Sequence, residues 1–125
     1  MVAPPLVEPI LSDGEHLLSL LDAASWPVSA AFWLYDPEPD AWHLIIASPV
    51  YDDVGPMECY KQIQAIIDRE PQTIPLHHIS ARSPKDRTVM TIRSLIPDGT
   101  DPHGVRLRGT GRDVYIDDAY IYRLT

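Results

Sequence analysis

Apolar residues recur at helical spacing in three stretches of the chain, each with a proline at its start. Proline suits the first position of a helix, where its missing N–H leaves no hydrogen bond unmade. The pattern therefore predicts amphipathic helices over 9–24, 56–69 and 84–96. The third stretch is open between helix and strand, because several of its residues are β-branched. As a helix, it would be capped by Ser83.

Runs of alternating or continuous apolar residues predict five strands. The predicted strands are, in order, 28–36, 41–48, 76–82, 105–109 and 113–124. The first two are joined by Asp-Pro-Glu-Pro-Asp at 36–40, whose turn-forming residues predict a hairpin. The last strand is apolar on both faces except at Asp117-Asp118, a break in the pattern that indicates a β-bulge.

These elements give the order α-β-β-α-β-α-β-β, which predicts an α+β fold. We expect a single-domain sandwich over 1–125, with a largely antiparallel sheet and two or three helices. The first hairpin is apolar on both faces, so both faces should be covered, by helices or by a partner. Residues 1–8 are expected to form a flexible or extended N-terminal segment.

The composition narrows the class of protein. The 125 residues are enough for one hydrophobic core. Cys59 is the single cysteine, so an internal disulfide is excluded. No apolar run approaches the roughly 20 residues that cross a bilayer, and residues 1–5 lack the basic and apolar regions of a signal peptide. We therefore expect a cytoplasmic protein without membrane contact.

Charge is distributed unevenly along the chain. Residues 1–80 hold twelve acids and two basic residues, a formal charge of −10, whereas 81–125 hold eight basic residues and six acids, a formal charge of +2. Such polarity favours charged partners and speeds encounter with them. The overall charge of −8 argues against general nucleic-acid binding, which needs a basic surface.

Aromatic side chains exceed what one small core requires, and aromatics are enriched at protein interfaces. The predicted partner-binding residues are Trp33, Tyr35, His43, Tyr120 and Tyr122. Our leading hypothesis is a small non-enzymatic interaction protein. It would be an accessory subunit, inhibitor or immunity-type module that binds a larger, basic protein partner, with a homodimer as the alternative use of the same surface.

Three arginines lie close together in the chain and suggest a second hypothesis. Arg106, Arg108 and Arg112 surround Gly109 and Gly111, glycines that would let the backbone approach a phosphate. The segment lacks the P-loop and Rossmann fingerprints. It therefore predicts a contact with nucleic acid or with the phosphate of a nucleotide. The alternative is a solvated hairpin whose arginines form ion pairs with acidic residues of the same chain.

Paired carboxylates suggest a third hypothesis, a metal-dependent hydrolase that uses Asp52, Asp53, Asp117, Asp118 and a histidine. The first pair is expected in a loop before the second helix, where acids are usually solvated or capping. Asp118 is expected to face inward, where it would need a tyrosine hydroxyl or an arginine as its partner.

The remaining reactive side chains show no catalytic spacing. His77 and His78 are adjacent, so on a strand they would point to opposite faces and could not share a metal. Cys59 lies near a predicted helix start, where the dipole would lower its pKa, but its apolar neighbours favour a packed thiol. We expect no catalytic residue, no metal and no cofactor.

Overall fold

The computed structural model describes residues 5–70, 74–110 and 114–125. The elements are α1 (Glu8–Ala23), β1 (Ala30–Asp36), β2 (Ala41–Ala47), α2 (Pro49–Ile67), a 3₁₀ turn (Leu76–His78), β3 (Ile79–Arg82), α3 (Arg87–Leu95), β4 (Arg106–Thr110) and β5 (Tyr115–Leu124). The predicted α+β class and element order are confirmed. Within these ranges no helix combines the length and apolarity that a membrane crossing requires.

The five strands form one mixed sheet in the order β3-β2-β1-β5-β4. β1 lies at the centre and pairs antiparallel with both β2 and β5, and β4 pairs antiparallel with β5. β3 is parallel to β2, because α2 carries the chain back across the sheet between them. The sheet is therefore largely antiparallel, as predicted.

Helices cover both faces of the sheet, as its two apolar faces require. α1 and α2 cover one face, where Leu17, Leu21 and Ile63 pack on the sheet. α3 covers the other face through Val89 and Ile92, which are fully buried. We call these the α1/α2 face and the α3 face. The burial of its stripe explains why α3 is a helix despite its β-branched residues.

β5 changes phase at the predicted bulge. Between Leu107 and Gly109, β4 advances two residues, whereas their partners Ala119 and Ile116 lie three residues apart on β5. Ile116 and Ala119 both pack on the α3 face. The extra residue turns Asp118 toward the α1/α2 face, where its side chain is buried.

The prediction for α2 was wrong at its start. The helix begins at Pro49, directly after β2, because the Ser48 hydroxyl accepts a hydrogen bond from the Val50 N–H at 3.1 Å and caps it. Gly55 has φ of 83° and splits the helix into two segments, the second of which begins at Pro56. The apolar pattern of the sequence predicted only the second of these two helical segments.

Two smaller boundaries also differ from prediction. α3 begins at Arg87, because the Asp86 carboxylate caps it by accepting hydrogen bonds from Thr88 and Val89. Ser83 instead accepts a hydrogen bond from the Lys85 N–H in the preceding turn. The predicted strand over 76–82 is a strand only from Ile79, and a 3₁₀ turn precedes it.

Candidate functional site

Asp118 is the centre of a cluster that joins β4 and β5. Its side chain is 2% exposed, and its two oxygens accept hydrogen bonds from Arg106 Nε at 2.6 Å and Nη2 at 2.7 Å. Arg108 Nη2 donates to the same carboxylate at 3.2 Å. The expectation that Asp118 faces inward toward an arginine is confirmed. One buried carboxylate thus holds two arginines side by side and leaves the cluster with a formal charge of +1.

Burial alone would raise the pKa of Asp118, but the hydrogen bonds and charges of Arg106 and Arg108 outweigh it and lower that pKa. The hydrogen bond to Asp118 raises the pKa of Arg106 in turn. The guanidinium carbon of Arg106 also lies 5.4 Å from the ring centroid of Trp42, in cation–π contact. Arg106 is therefore fixed by a carboxylate at one side and by an indole at the other.

An exposed tyrosine lies on the same side of the sheet as this cluster. Tyr115 pairs with Thr110 at the end of β4, one residue beyond the pair Gly109–Ile116. Ile116 faces α3, so Tyr115 faces the side of Asp118, and it is 60% exposed. Tyr115 was considered as one of the aromatic residues in excess of the core, but it was left out of the predicted partner-binding set.

We call Arg106, Arg108 and Tyr115 the β4–β5 strip. The side chains of Arg106 and Arg108 are 43% and 70% exposed, so both reach solvent beyond their contact with Asp118. The sequence analysis grouped these arginines with Arg112, which lies outside the described residues, as does Gly111. The phosphate-contact role of the three arginines stays a prediction.

The predicted partner-binding aromatics do not form one exposed surface. Trp33, Tyr35 and Tyr122 are buried on the α1/α2 face, and Tyr120 is half-buried beside them. His43 pairs with Leu34, which packs on the α3 face, so it lies on the other side of the sheet. A partner-binding role for these five residues stays a prediction.

Tyr122 connects α1 to the sheet through its hydroxyl. The hydroxyl donates to the Leu11 carbonyl at 2.6 Å and accepts from Trp33 Nε1 at 2.9 Å. Burial raises the pKa of Tyr122. Gly14 makes the contact possible, since a Cβ there would lie 2.3 Å from the Tyr122 hydroxyl oxygen. The glycine that weakens the predicted first helix is thus the place where a tyrosine packs against it.

Tyr35 makes a local contact at the β1–β2 turn. Its hydroxyl donates to the Asp40 carboxylate, and this hydrogen bond raises the pKa of Tyr35 to about 12. Its ring packs against Trp42 with centroids 5.5 Å apart. Both aromatic residues therefore build the end of the hairpin that supports Arg106.

The structure does not assemble the predicted carboxylate site. Asp52 and Asp53 lie within the first segment of α2 rather than in a loop. Over the described ranges, no group of three or more potential ligands from histidine, cysteine, aspartate and glutamate comes close enough to hold a metal ion. Asp117 and Asp118 follow each other at the bulge, and Asp118 is engaged by arginines.

The other reactive groups differ from expectation in position. His77 and His78 lie in the 3₁₀ turn, where their ring centroids are 4.2 Å apart, rather than on opposite faces of a strand. Burial, followed by the charges of His77 and His43, lowers the pKa of His78. Cys59 is fully buried, as its apolar neighbours indicated, and this burial raises its pKa.

A feature that the sequence analysis missed lies at the Gly55 break of α2. Met57 is 73% exposed and Val54 is 43% exposed, one on each side of the glycine. The exposed acids Asp52, Asp53 and Glu58 flank them in the chain. We call these five residues the α2 patch. Counted at about 3.6 residues per turn, Met57 lies on the side of the second segment opposite the buried residues Cys59, Ile63 and Ile66, so it points outward.

The uneven distribution of charge along the chain places opposite formal charges on the two sides of the sheet. α1 and α2 carry seven exposed acids and one lysine, a formal charge of −6. These acids are Glu8, Asp13, Glu15, Asp22, Asp52, Asp53 and Glu58. The segment 82–95, which carries α3, holds four basic residues and one aspartate, a formal charge of +3. The sheet thus separates an acidic helical layer from a basic one.

Comparison with known proteins adds no assignment to this geometry. No protein-family model, no curated protein and no solved structure matches the chain.

Proposed function

We propose that this protein is a small non-enzymatic interaction module that binds a larger, basic protein partner through the α2 patch. The observation that carries the proposal is the exposure of Met57, 73%, and Val54, 43%, within an acidic helical layer. Interfaces commonly combine an apolar centre, which supplies affinity, with a charged rim, which supplies specificity and encounter rate.

The charge of the α1/α2 layer selects the class of partner. Its formal charge of −6 attracts a basic surface and repels an acidic one. A symmetric dimer built on this patch would set the acidic layer of one copy against the same layer of another, which is unfavourable. We therefore favour a different protein as the partner. A homodimer through the predicted aromatic set stays a prediction, which a native mass spectrum would test.

This function fits an accessory subunit, an inhibitor or an immunity-type module, because such proteins act by binding a partner. We place it in the cytoplasm, where the single reduced Cys59 would be stable. The patch differs from the aromatic set predicted from sequence, because Trp33, Tyr35 and Tyr122 pack inside the fold.

The experiment is affinity capture from native extract, followed by binding of the purified partner to three forms of the protein. Met57→Lys places a positive charge in the patch and should weaken binding of a basic partner about tenfold or more. Met90→Lys is the matched control, since Met90 is 56% exposed on α3, on the opposite face. It should bind as the unchanged protein does.

The salt dependence gives a second test of the same proposal. Raising the ionic strength should slow association, because it screens the acidic rim. A partner that binds Met57→Lys normally, or that is lost with Met90→Lys instead, would show that the α2 patch is not the interface. A partner with an acidic contact surface would contradict the charge argument.

A further inference from the structure

We infer that the β4–β5 strip is a binding site for a single nucleotide, with its phosphate on Arg106 and Arg108 and its base on Tyr115. This site is separate from the α2 patch, and the inference stands without the proposed function. It rests on three features of the strip: an arginine fixed by Asp118 and Trp42, a second and largely exposed arginine on the same carboxylate, and an exposed aromatic ring on the same face.

The guanidinium groups of the two arginines are positioned to bind an oxyanion before one arrives. A free arginine on a surface loses side-chain entropy when it binds. Arg106 has already lost much of it, because Asp118 fixes its guanidinium with two hydrogen bonds, at 2.6 and 2.7 Å, and Trp42 lies against it. Arg108 spends one N–H group on Asp118, at 3.2 Å, and its side chain is 70% exposed. Its outer edge can therefore donate two parallel hydrogen bonds to a phosphate.

The buried aspartate limits the charge that the site can accept. Two arginines and Asp118 leave a formal charge of +1, and the exposed carboxylate of the neighbouring Asp117 lowers the local charge further, so the strip suits one phosphate group rather than a row of them. The protein as a whole carries −8, which repels a long polyanion. A ligand with one phosphate therefore fits the electrostatics better than a nucleic-acid strand.

Tyr115 supplies a partner for the rest of the ligand. It pairs in register with Thr110, two residues from Arg108 along β4, a distance of roughly 7 Å in an extended strand. Its ring is 60% exposed on the side of the sheet that carries Arg106 and Arg108. A planar base can stack on such a ring while its phosphate reaches the arginines, and base–aromatic stacking contributes about 1–3 kcal/mol.

The test uses adenosine 5′-monophosphate and its two fragments, adenosine and inorganic phosphate, titrated into the full chain at low salt. The nucleotide should bind about tenfold more tightly than either fragment, since it engages both parts of the strip. Arg108→Ala should weaken the nucleotide about tenfold and leave adenosine unchanged. Tyr115→Ala should weaken the nucleotide and adenosine and leave inorganic phosphate unchanged.

Arg87→Ala is the matched control, because Arg87 is an exposed arginine at the start of α3 on the opposite face. It should bind the nucleotide normally, and thermal melting should show that all three variants fold. The inference is overturned if the nucleotide does not bind, if it binds no better than inorganic phosphate, or if Arg87→Ala and Arg108→Ala weaken it equally. Tighter binding of a single-stranded hexanucleotide, with a steeper salt dependence, would replace the single-nucleotide site by a nucleic-acid surface.

Discussion

The two faces of the sheet are buried by different chemistry. On the α3 face, Phe32, Ile45 and Ile121 pack against Val89 and Ile92 in a cluster of hydrocarbon side chains, and Thr91 of α3 is buried as well. On the α1/α2 face the buried residues include side chains with polar ends, which find partners in other elements. These include Trp33 with Tyr122, Tyr122 with Leu11, Trp26 with Gln62, and Asp118 with Arg106.

The difference separates two ways to stabilise one sheet. A hydrocarbon core depends on volume and tolerates changes that conserve it. A core with polar ends depends on the completeness of its hydrogen bonds, because an unpaired buried group is costly. Hydrogen bonds between specific side chains also determine which elements pack together. The α1/α2 face, which contains them, carries the candidate sites at α2 and β4–β5.

The largest effect is expected from a cavity in the α3 face. Phe32 is fully buried in β1, so Phe32→Ala should lower the free energy of unfolding by about 3–5 kcal/mol. Urea unfolding measures it, and Phe32→Leu, which keeps most of the volume, should cost much less. Because the cluster contains no titrating group, the loss should be equal at acidic and neutral pH, and a pH-dependent loss would contradict the comparison.

A smaller effect is expected from added volume on the α1/α2 face. Gly14→Ala would improve an ordinary helix by about 1 kcal/mol. Here the new Cβ would lie 2.3 Å from the Tyr122 hydroxyl oxygen, which is tied to Leu11 and Trp33. We expect a net loss of about 1–3 kcal/mol in thermal or urea unfolding. Ser12→Ala, at an exposed position of the same helix, is the control and should lose nothing. A more stable Gly14→Ala would show that the tyrosine moves freely.

The smallest effect, about 1 kcal/mol, is expected from Asp118→Asn, because the exposed ends of its arginines remain solvated. The size of this effect depends on pH. The arginines hold the pKa of Asp118 below its ordinary value of 3.8, so its contribution is present above that value and is lost as pH falls through the lower, folded-state pKa. The two proteins should therefore differ at neutral pH and converge in acid. Asp117→Asn, at the exposed neighbour, is the control, and a gap that persists in strong acid would contradict the assignment.

Periodicity and turn residues predicted the fold class and the order of the elements, because each element buries a stripe or a face that its own residues define. The largest error was the start of α2, because the residues before the predicted second helix, including Pro49 and Gly55, were expected to form a loop. Proline at the first helical position and a glycine between two helical segments give the same local pattern as a loop. The capping hydrogen bond of Ser48 distinguishes the two, and it is visible only in three dimensions.

The candidate sites were less predictable, because exposure depends on distant parts of the chain. The arginine segment was recognised from composition, and the inward orientation of Asp118 from the break in alternation. The aromatic residues were predicted to bind a partner, but the burial of Trp33, Tyr35 and Tyr122 depends on how α1 and α2 pack on the sheet, which local sequence does not show. The exposure of Met57 follows from its place opposite Cys59, Ile63 and Ile66 on the second segment of α2, and the start of that segment depends on the break at Gly55.

The bulge in β5 constrains the number of residues in the strand as well as their identity. It shifts the phase of the strand, so that Ile116 and Ile121, five residues apart, both face α3. Removing one residue between them would exchange the surroundings of Tyr115 and Ile116, burying a hydroxyl and exposing a hydrocarbon. Among relatives of this chain, the number of residues from Ile116 to Ile121 should therefore vary less than the residues themselves, and gaps should accumulate in the turns instead.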